Sequence, residues 1–210
     1  MSLLDKFRKH GLRGIFDFVL HKVLHIQIGR IHYLRLDTDI QRVEEALADF
    51  DLEVKRLSFE DFLTGNQTEF HEKKLQLIKA RIEDPNYIAY GIVEEGKLIY
   101  STWISLHRLG LPVQPSSPIY MAENEGLLED SYCAPQARGR GLHAKMNFYR
   151  IKKLYEMGKT RVLALVLEGN TPAFKVQYKS GFKHLGSFRC GYLFGRPYLT
   201  LDKTYFDRIA

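Results

Sequence analysis

Glycine and arginine alternate in Arg138-Gly139-Arg140-Gly141, directly before a run with helical periodicity. Glycine lets the backbone come close to a bulky ligand, and the first amides of a helix have no partner within that helix. The apolar spacing that begins at Leu142 predicts such a helix. Unpaired amides, the positive end of the helix dipole and two guanidinium groups all favour an anion, so this stretch predicts a phosphate-binding turn.

The spacing of the glycines excludes two common nucleotide loops. The Gly-Lys-Ser/Thr ending of a nucleoside triphosphate loop is missing. The third glycine of the dinucleotide pattern Gly-x-Gly-x-x-Gly is missing as well. The glycines alone therefore leave the kind of phosphate open.

Two motifs together resemble the signatures of the GNAT superfamily of N-acetyltransferases. The first resembles the acetyl-CoA pyrophosphate loop, Gln/Arg-x-x-Gly-x-Gly/Ala, and reads Gln136-x-x-Gly139-x-Gly141. In the second, an Asn opens a helix and a Tyr precedes a Gly-Phe turn; it reads Asn170-x-x-Ala173 and Tyr178-x-x-Gly181-Phe182. The resemblance covers residues 52 to about 194 and implies acyl transfer from acetyl-CoA or another acyl-CoA.

Local patterns predict the elements that would position these motifs. A β-prone run ends at Pro135, and a helix from about Leu142 to Met157 leads to an apolar strand over 162–167. Two strands joined through a helix indicate a parallel pair with a right-handed crossover. Other patterns predict strands over 28–37, 52–57, 182–189 and 192–194, helices over 40–50 and 70–82, a helix from Asn170 to about Ser180, a hairpin over 87–106 and a long loop over 107–126.

The resemblance implies an α/β (α+β) fold. It consists of a single mixed, largely antiparallel twisted sheet with helices on both faces, whose central strands splay apart at the cofactor site. Residues 51–210 would form this GNAT-like acyltransferase domain. Residues 1–50 would form an N-terminal extension, made of a basic amphipathic helix, a strand and a second helix.

The resemblance also implies a set of site residues. Backbone near Cys133 would pair with the pantetheine arm, amides from Arg138 to His143 would hold the pyrophosphate, and Asn170 would bond the amide-bearing arm. The full implied cofactor-binding set is Cys133, Gln136, Arg138, Gly139, Arg140, Gly141, Leu142, His143 and Asn170. Tyr178 would lie near the thioester sulfur as general acid, and no metal is implied.

A base must remove a proton from the amine before the nitrogen can attack the thioester. In related enzymes the base often lies on the strand before the cofactor loop, which makes Glu129 the candidate, directly or through water, and Asp130 the alternate. A strict period of two would put Leu127, Glu129, Ser131 and Cys133 on one face of this strand and Leu128, Asp130 and Tyr132 on the other.

Simpler interpretations of the same residues stay open. Glu129 and Asp130 could be solvated carboxylates at a strand end, and Tyr178 could be a core aromatic whose hydroxyl is satisfied locally. Cys133 is interpreted as a small strand residue, because no His or acid stands at the spacing that a cysteine nucleophile requires.

Composition sets wider limits on the protein. A chain of 210 residues with 45% hydrophobic content suits a globular domain, and two cysteines indicate a reducing cytoplasm. The net charge of +6 favours an anionic partner, and most of the excess lies before residue 31. Residues 1–27 predict a basic amphipathic helix that packs on the domain or contacts an acyl carrier protein or the inner membrane surface. No nucleic-acid motif is present.

The sequence thus predicts an N-acetyltransferase that moves an acetyl group from acetyl-CoA to the primary amine of a small molecule in a ternary complex. The slight preference is for neutral or anionic acceptors, such as nucleotide-linked amino sugars or amino acids, because a basic protein matches a polycation poorly. The alternatives are an N-acyltransferase that takes longer chains from acyl carrier protein and a non-catalytic acyl-CoA-binding or membrane-associated module. A dimer is compatible with the sequence, which does not define the oligomeric state.

Overall fold

The computed structural model describes residues 26–111 and 118–200. Its strands are β1 (Gln27–Asp37), β2 (Lys55–Arg56), β3 (Tyr87–Glu94), β4 (Lys97–Ser105), β5 (Glu125–Cys133), β6 (Arg161–Leu167), β7 (Lys183–Leu193) and β8 (Arg196–Leu199). Its helices are α1 (Ile40–Leu47), α2 (Phe59–Leu63), α3 (Glu72–Glu83), α4 (Leu142–Glu156) and α5 (Thr171–Lys179). A 3-10 turn, Pro135–Ala137, separates β5 from the loop that precedes α4.

The described strands form one mixed sheet in the order β2-β3-β4-β5-β6-β1-β7-β8. Its neighbours are antiparallel except for β5 and β6, which α4 connects as a parallel crossover. This pair is in register only from Glu125↔Arg161 to Leu128↔Ala164. Beyond Leu128 the two strands separate, so the expectation of a mixed, largely antiparallel sheet with splayed central strands is confirmed.

Buried apolar side chains pack on both faces of the sheet. On one face, α1, α4 and α5 cover β-strand residues such as Leu128 and Ala164. On the opposite face, α2 and α3 cover the β3–β4 hairpin around Trp103. Next to them, Leu109, Leu111, Ile119 and Met121 of the β4–β5 connection cover Leu127 and Leu163. Helices therefore lie on both faces, as the sequence predicts.

Local signals place most helix starts and turns correctly. The Asn170 side chain caps α5 by accepting the Ala173 N–H at 3.3 Å, as the Asn-Thr-Pro sequence predicts. At the tip of the β3–β4 hairpin, Glu95 and Gly96 both have positive φ, 50° and 72°, which is typical of the turns that join two-residue hairpins.

Three predicted boundaries are wrong. The strand predicted over 52–57 is reduced to β2, and α1 ends at Leu47 instead of near residue 50. At the C-terminal side, the two short strands predicted over 182–189 and 192–194 are the single strand β7. Phe194 and Gly195 have positive φ and form the turn between β7 and β8, which pair as an antiparallel hairpin. The sequence pattern did not indicate this hairpin.

Strand β1 lies inside the sheet, between β6 and β7, and pairs antiparallel with both. β1 belongs to residues 1–50, which were predicted to form an extension, yet it pairs with strands of residues 51–210. The division into 1–50 and 51–210 stays a prediction. The helix expected over residues 1–27 lies outside the described residues, apart from its last two positions.

Candidate functional site

The divergence of β5 and β6 opens a cleft of about 690 Å³ on the α4 side of the sheet. One wall is β5 from Leu128 to Cys133, and the other is β6 together with the start of α5. Among the predicted site residues, the cleft lining contains Glu129, Asp130, Cys133, Arg138, His143 and Asn170. The fold thus brings residues from the loop of the first motif and from the start of the second motif to one cavity.

The loop at one end of this cleft presents unpaired backbone donors. Gly139 and Gly141 have φ of 82° and 73°, a conformation that glycine adopts without strain, and a Cβ at either position would meet open space. The Arg138 N–H donates to Pro135 O at 3.3 Å. Within the described part of the chain, no backbone carbonyl accepts the N–H groups from Gly139 to His143. Five consecutive amides at the N-terminus of α4 are therefore without a backbone acceptor.

The two arginines of the loop differ in their surroundings. Arg140 makes two hydrogen bonds to the Glu94 carboxylate, at 2.9 and 2.6 Å, so its charge is already paired with the β3–β4 turn. Arg138 is exposed, lines the cleft, and its Nε donates to Cys133 O at 3.4 Å. Gln136 lies exposed in the 3-10 turn and is absent from the cleft lining.

Cys133 ends β5 at the point where the cleft is open. Cys133 pairs with Tyr100 of β4 on one side, whereas on the other side β6 has already separated from β5. Burial is the main reason that the pKa of the Cys133 thiol is raised, and it outweighs the opposing charges of Arg138 and Arg140. A thiol with a raised pKa holds little thiolate at neutral pH, which disfavours a covalent acyl-cysteine.

The two residues of the downstream motif occupy different positions. Asn170 lines the cleft; its Oδ1 accepts the Ala173 N–H that caps α5, and its amide NH₂ is free to donate to a ligand. Tyr178 is 50% exposed, stacks on Phe174 and does not line the cleft. The structure therefore brings Asn170, but not Tyr178, into the cleft wall.

A β-bulge at Asp130 overturns the expected alternation of side chains along β5. Trp103 pairs with Glu129, whereas the preceding Thr102 pairs with Ser131, so the bulge leaves Asp130 without a partner in β4. Leu127 and Glu129 share the α3 side, but Ser131 and Cys133 lie with Leu128 on the α4 side. The strict period of two was wrong because an extra residue shifts every later side chain to the other face.

Glu129 is a buried carboxylate with one charged partner. Its side chain is 8% exposed, and its Oε2 lies 2.9 Å from Arg81 Nη2 of α3. Its Oε1 lies against the backbone of Gly110 but has no hydrogen bond of normal geometry. Burial raises the pKa of Glu129, and the Arg81 charge opposes that rise. Arg81 and Gly110 were not among the predicted site residues. Arg81 lies on α3 and Gly110 in the β4–β5 connection, so their contacts with Glu129 depend on tertiary packing.

Asp130 has a more open environment than Glu129. Its side chain is 42% exposed, and its Oδ2 lies 3.8 Å from Lys74 Nζ, which also pairs with Glu69. Both carboxylates line the cleft, but only Glu129 is shielded from water.

A buried cation lies where β5 and β6 part. Arg150 of α4 is 1% exposed and lines the cleft; its Nη1 donates to Trp103 O at 3.3 Å and to Glu129 O at 3.0 Å. Its Nη2 donates to Asn147 Oδ1 at 3.0 Å, while its Nε has no partner. The guanidinium thus supports the bulged strand and keeps one donor free beside the cleft.

His143 and Tyr100 form a second polar pair in the cleft wall. Tyr100 Oη and His143 Nδ1 are 2.7 Å apart. Burial and the nearby Arg150 charge lower the pKa of His143 to about 4, so the imidazole is neutral at neutral pH. The sequence pattern predicted a role only for the backbone amide of His143, in binding the cofactor. The contact between the His143 side chain and Tyr100 was not predicted, because it depends on how β4 packs against α4.

None of the described helices is both long enough and apolar enough to cross a bilayer.

No family model and no curated protein matches this chain. Solved structures do. A protein assigned to the GNAT family of acetyltransferases, from Novosphingobium aromaticivorans, aligns with a TM-score of 0.51 at 13% identity over 78% of this chain and 63% of its own. A GCN5-related glucosamine N-acetyltransferase region of a fungal multi-domain β-N-acetylglucosaminidase gives 0.53 at 16%, over 76% of this chain and 20% of its own.

A conserved protein of unknown function from Staphylococcus epidermidis gives a TM-score of 0.54 at 11% identity, over 82% of this chain and 64% of its own. The chain therefore spans less than two thirds of the length of the first structures that it matches. At these identities the likeness is one of fold.

Proposed function

Because the chain has the fold of the GNAT acetyltransferases, we propose that it transfers an acetyl group from acetyl-CoA to the primary amine of a small molecule. One observation carries the proposal: the cleft between the parted β5 and β6 ends at five unpaired amides in front of α4. A long cofactor with a pyrophosphate in its middle and a thioester at its end matches this combination of an open strand edge and an anion cradle.

We assign the cofactor by position along the cleft. The amides from Gly139 to His143 would hold the pyrophosphate, with Arg138 as the cation beside it. The open edge of β5 at Cys133 would pair with the pantetheine arm, whose amides resemble a peptide backbone. The Asn170 NH₂ would bond a carbonyl of the same arm from the opposite wall.

Glu129 is the proposed general base. The neutral amine nitrogen attacks the thioester carbonyl carbon, the N–H proton passes to Glu129 directly or through water, and the C–S bond breaks to release CoA thiolate. A carboxyl with a raised pKa accepts a proton more readily near neutral pH than an ordinary one. Asp130 remains the alternate base, although its side chain is more exposed to water than that of Glu129.

The departing thiolate needs a positive charge or a proton. The motif implies Tyr178 as the proton donor, but Tyr178 is half exposed and lies outside the cleft lining, which favours another group in this role. Arg150 offers a buried cation with a free Nε at the parting of the strands. A cation in a site shielded from water stabilises developing negative charge strongly, so we assign Arg150 as an additional stabiliser of the thiolate.

The first test is a pair of ligand-binding measurements. Acetyl-CoA should raise the melting temperature of the protein, since a ligand that binds only the folded state stabilises it. Gly139→Asp should abolish this rise by placing a carboxylate in the anion cradle. Gly96→Asp is the matched control, because both glycines have positive φ and open space around a Cβ, but Gly96 lies at the β3–β4 tip. Equal loss in both variants would contradict the assigned cradle.

The second test measures transfer with purified protein, acetyl-CoA and an amine library, read by mass spectrometry. Glu129→Gln should lower turnover by about 10²-fold or more with little change in acetyl-CoA affinity. A loss confined to Asp130→Asn would reassign the base. Binding of acetyl-CoA without turnover over the whole library would instead favour a non-catalytic acyl-CoA-binding module, and salt-sensitive transfer from acyl carrier protein would favour the longer-chain alternative.

A further inference from the structure

A second pocket opens on the face of the sheet opposite α4, directly behind the cleft. Its volume is about 390 Å³, and it shares Leu128, Glu129, Asp130, Leu165 and Leu167 with the cleft lining. The two cavities therefore meet where β5 and β6 part. A group bound in this pocket would lie within reach of a thioester that enters from the cleft side.

The described walls of this pocket are mostly apolar. Aliphatic side chains come from four parts of the fold: Ile31 of β1, Leu77 of α3, Leu111 of the β4–β5 connection, and Leu127, Leu165 and Leu167 of the central strands. Leu77 and Leu167 are 53% and 52% exposed, which is high for leucine. Both side chains therefore offer apolar surface that a bound ligand can cover.

The polar end of the pocket is the Glu129 carboxylate. Its Oε2 is held by Arg81 at 2.9 Å, whereas its buried Oε1 lies against the Gly110 backbone without a hydrogen bond of normal geometry. A buried carboxylate oxygen that lacks a well-formed hydrogen bond is costly, and an N–H group of a bound amine would supply one. Arg81 and the more exposed Asp130 carboxylate also line the pocket, so its polar end offers acceptors for an amine and its walls offer apolar contact for the rest of the molecule.

We propose that this pocket binds the acceptor, and that the acceptor is a primary amine on an apolar aliphatic or aromatic body. The inference rests on the proposed function and narrows its substrate class. It departs from the amino sugars and amino acids favoured by net charge alone. Sugar hydroxyls placed against Ile31, Leu127 and Leu165 would lose their bonds to water without gaining new ones.

A long acyl chain is the competing occupant of the same walls. An acyl chain would place methylene groups against Glu129 and leave its Oε1 without a well-formed hydrogen bond, whereas an amine supplies a donor. The carboxylate at the end of the pocket therefore favours the acceptor over the acyl group.

The test compares two amines on six-membered rings, cyclohexylamine and glucosamine, with acetyl-CoA as donor. We expect kcat/KM for cyclohexylamine to exceed that for glucosamine by about tenfold or more, in line with the discrimination that apolar pockets achieve. Binding of each amine in the presence of CoA is measured in parallel by thermal shift, because the two amines differ in basicity. Equal or better use and binding of glucosamine would overturn the proposal.

The variant pair is Leu77→Glu and Leu63→Glu. Both leucines are about half exposed on helices of the same face, at 53% and 48%, but only Leu77 lines the pocket. Leu77→Glu should raise KM for cyclohexylamine about tenfold or more and leave acetyl-CoA affinity unchanged. Leu63→Glu should behave as the parent protein. Equal effects of the two variants would remove the pocket from acceptor binding.

Two further outcomes separate this inference from the proposed function. If no amine is acetylated, but cyclohexylamine still stabilises the CoA complex and Leu77→Glu abolishes that effect, the pocket assignment stands and the transfer reaction does not. If octanoyl-CoA is preferred to acetyl-CoA and Leu77→Glu removes the preference, the pocket holds the acyl chain and the acceptor assignment is overturned.

Discussion

Replacing Arg81 with methionine tests whether Glu129 is the group that titrates during turnover. Arg81 and Glu129 are largely buried, at 19% and 8% side-chain exposure, with 2.9 Å between Nη2 and Oε2. The Arg81 guanidinium also lies 5.1 Å from the centre of the Tyr87 ring and 5.6 Å from that of Trp103. Methionine keeps an unbranched apolar side chain against these rings and removes the charge.

The expected magnitude follows from the distance between the charges. Opposite unit charges about 4 Å apart attract by about 4 kcal/mol at an effective dielectric constant of about 20. Without Arg81, burial and the Asp130 charge are opposed only by the Gly110 backbone N–H, so the pKa of Glu129 rises further. Protonation of the carboxyl limits the cost, so we expect Arg81→Met to lower the free energy of unfolding at pH 7 by about 2 to 4 kcal/mol.

The pH dependence of this loss has a definite sign. A carboxyl whose pKa is raised on folding binds its proton more tightly in the folded state, so stability falls as pH rises from the unfolded pKa to the folded one. In Arg81→Met that window extends to higher pH. The stability difference from the parent protein should therefore be small in acid, where Glu129 is neutral in both proteins, and larger at neutral pH.

The assay is kcat/KM as a function of pH, together with urea denaturation at acid and neutral pH. Activity should fall as pH decreases through the pKa of Glu129, and Arg81→Met should move this acid limb to higher pH. Arg108→Met is the control, because Arg108 also lies over Tyr87 but pairs with Asp84. An acid limb that stays in place in Arg81→Met would show that Glu129 is not the base.

Two other substitutions, the first with a matched control, test contacts of the site. Gly110→Ala would place a Cβ 1.9 Å from Glu129 Oε1, so it should displace the carboxylate, destabilise the fold by about 1 to 3 kcal/mol and reduce kcat. Gly29→Ala, whose nearest neighbour would be 3.8 Å away, should leave kcat and the urea midpoint nearly unchanged. Tyr178→Phe should retain kcat within about threefold; a loss of about 10²-fold would support Tyr178 as general acid.

Short-range signals made the glycine turn before α4 and the cap of α5 predictable from sequence. Gly139 and Gly141 adopt positive φ, which glycine allows in a tight turn. Asn170 caps α5 by accepting the N–H of Ala173, three residues further on. The bulge at Asp130 could not be predicted, because it depends on how β5 pairs with β4. The Arg81–Glu129 pair was missed for a similar reason, since it joins a helix to a strand distant in sequence.

The interior position of β1 has a consequence for how the chain folds. Ile31 pairs with Leu167 on one side and Phe188 on the other, so β1 acquires both partners only after the chain has been made through β6 and β7. Pairings between residues so far apart in sequence slow folding, because the entropy cost of closing a long loop comes before the stabilising contacts form. Until then β6 keeps an unpaired edge beside the cleft, and late assembly of this half of the sheet is the expected outcome.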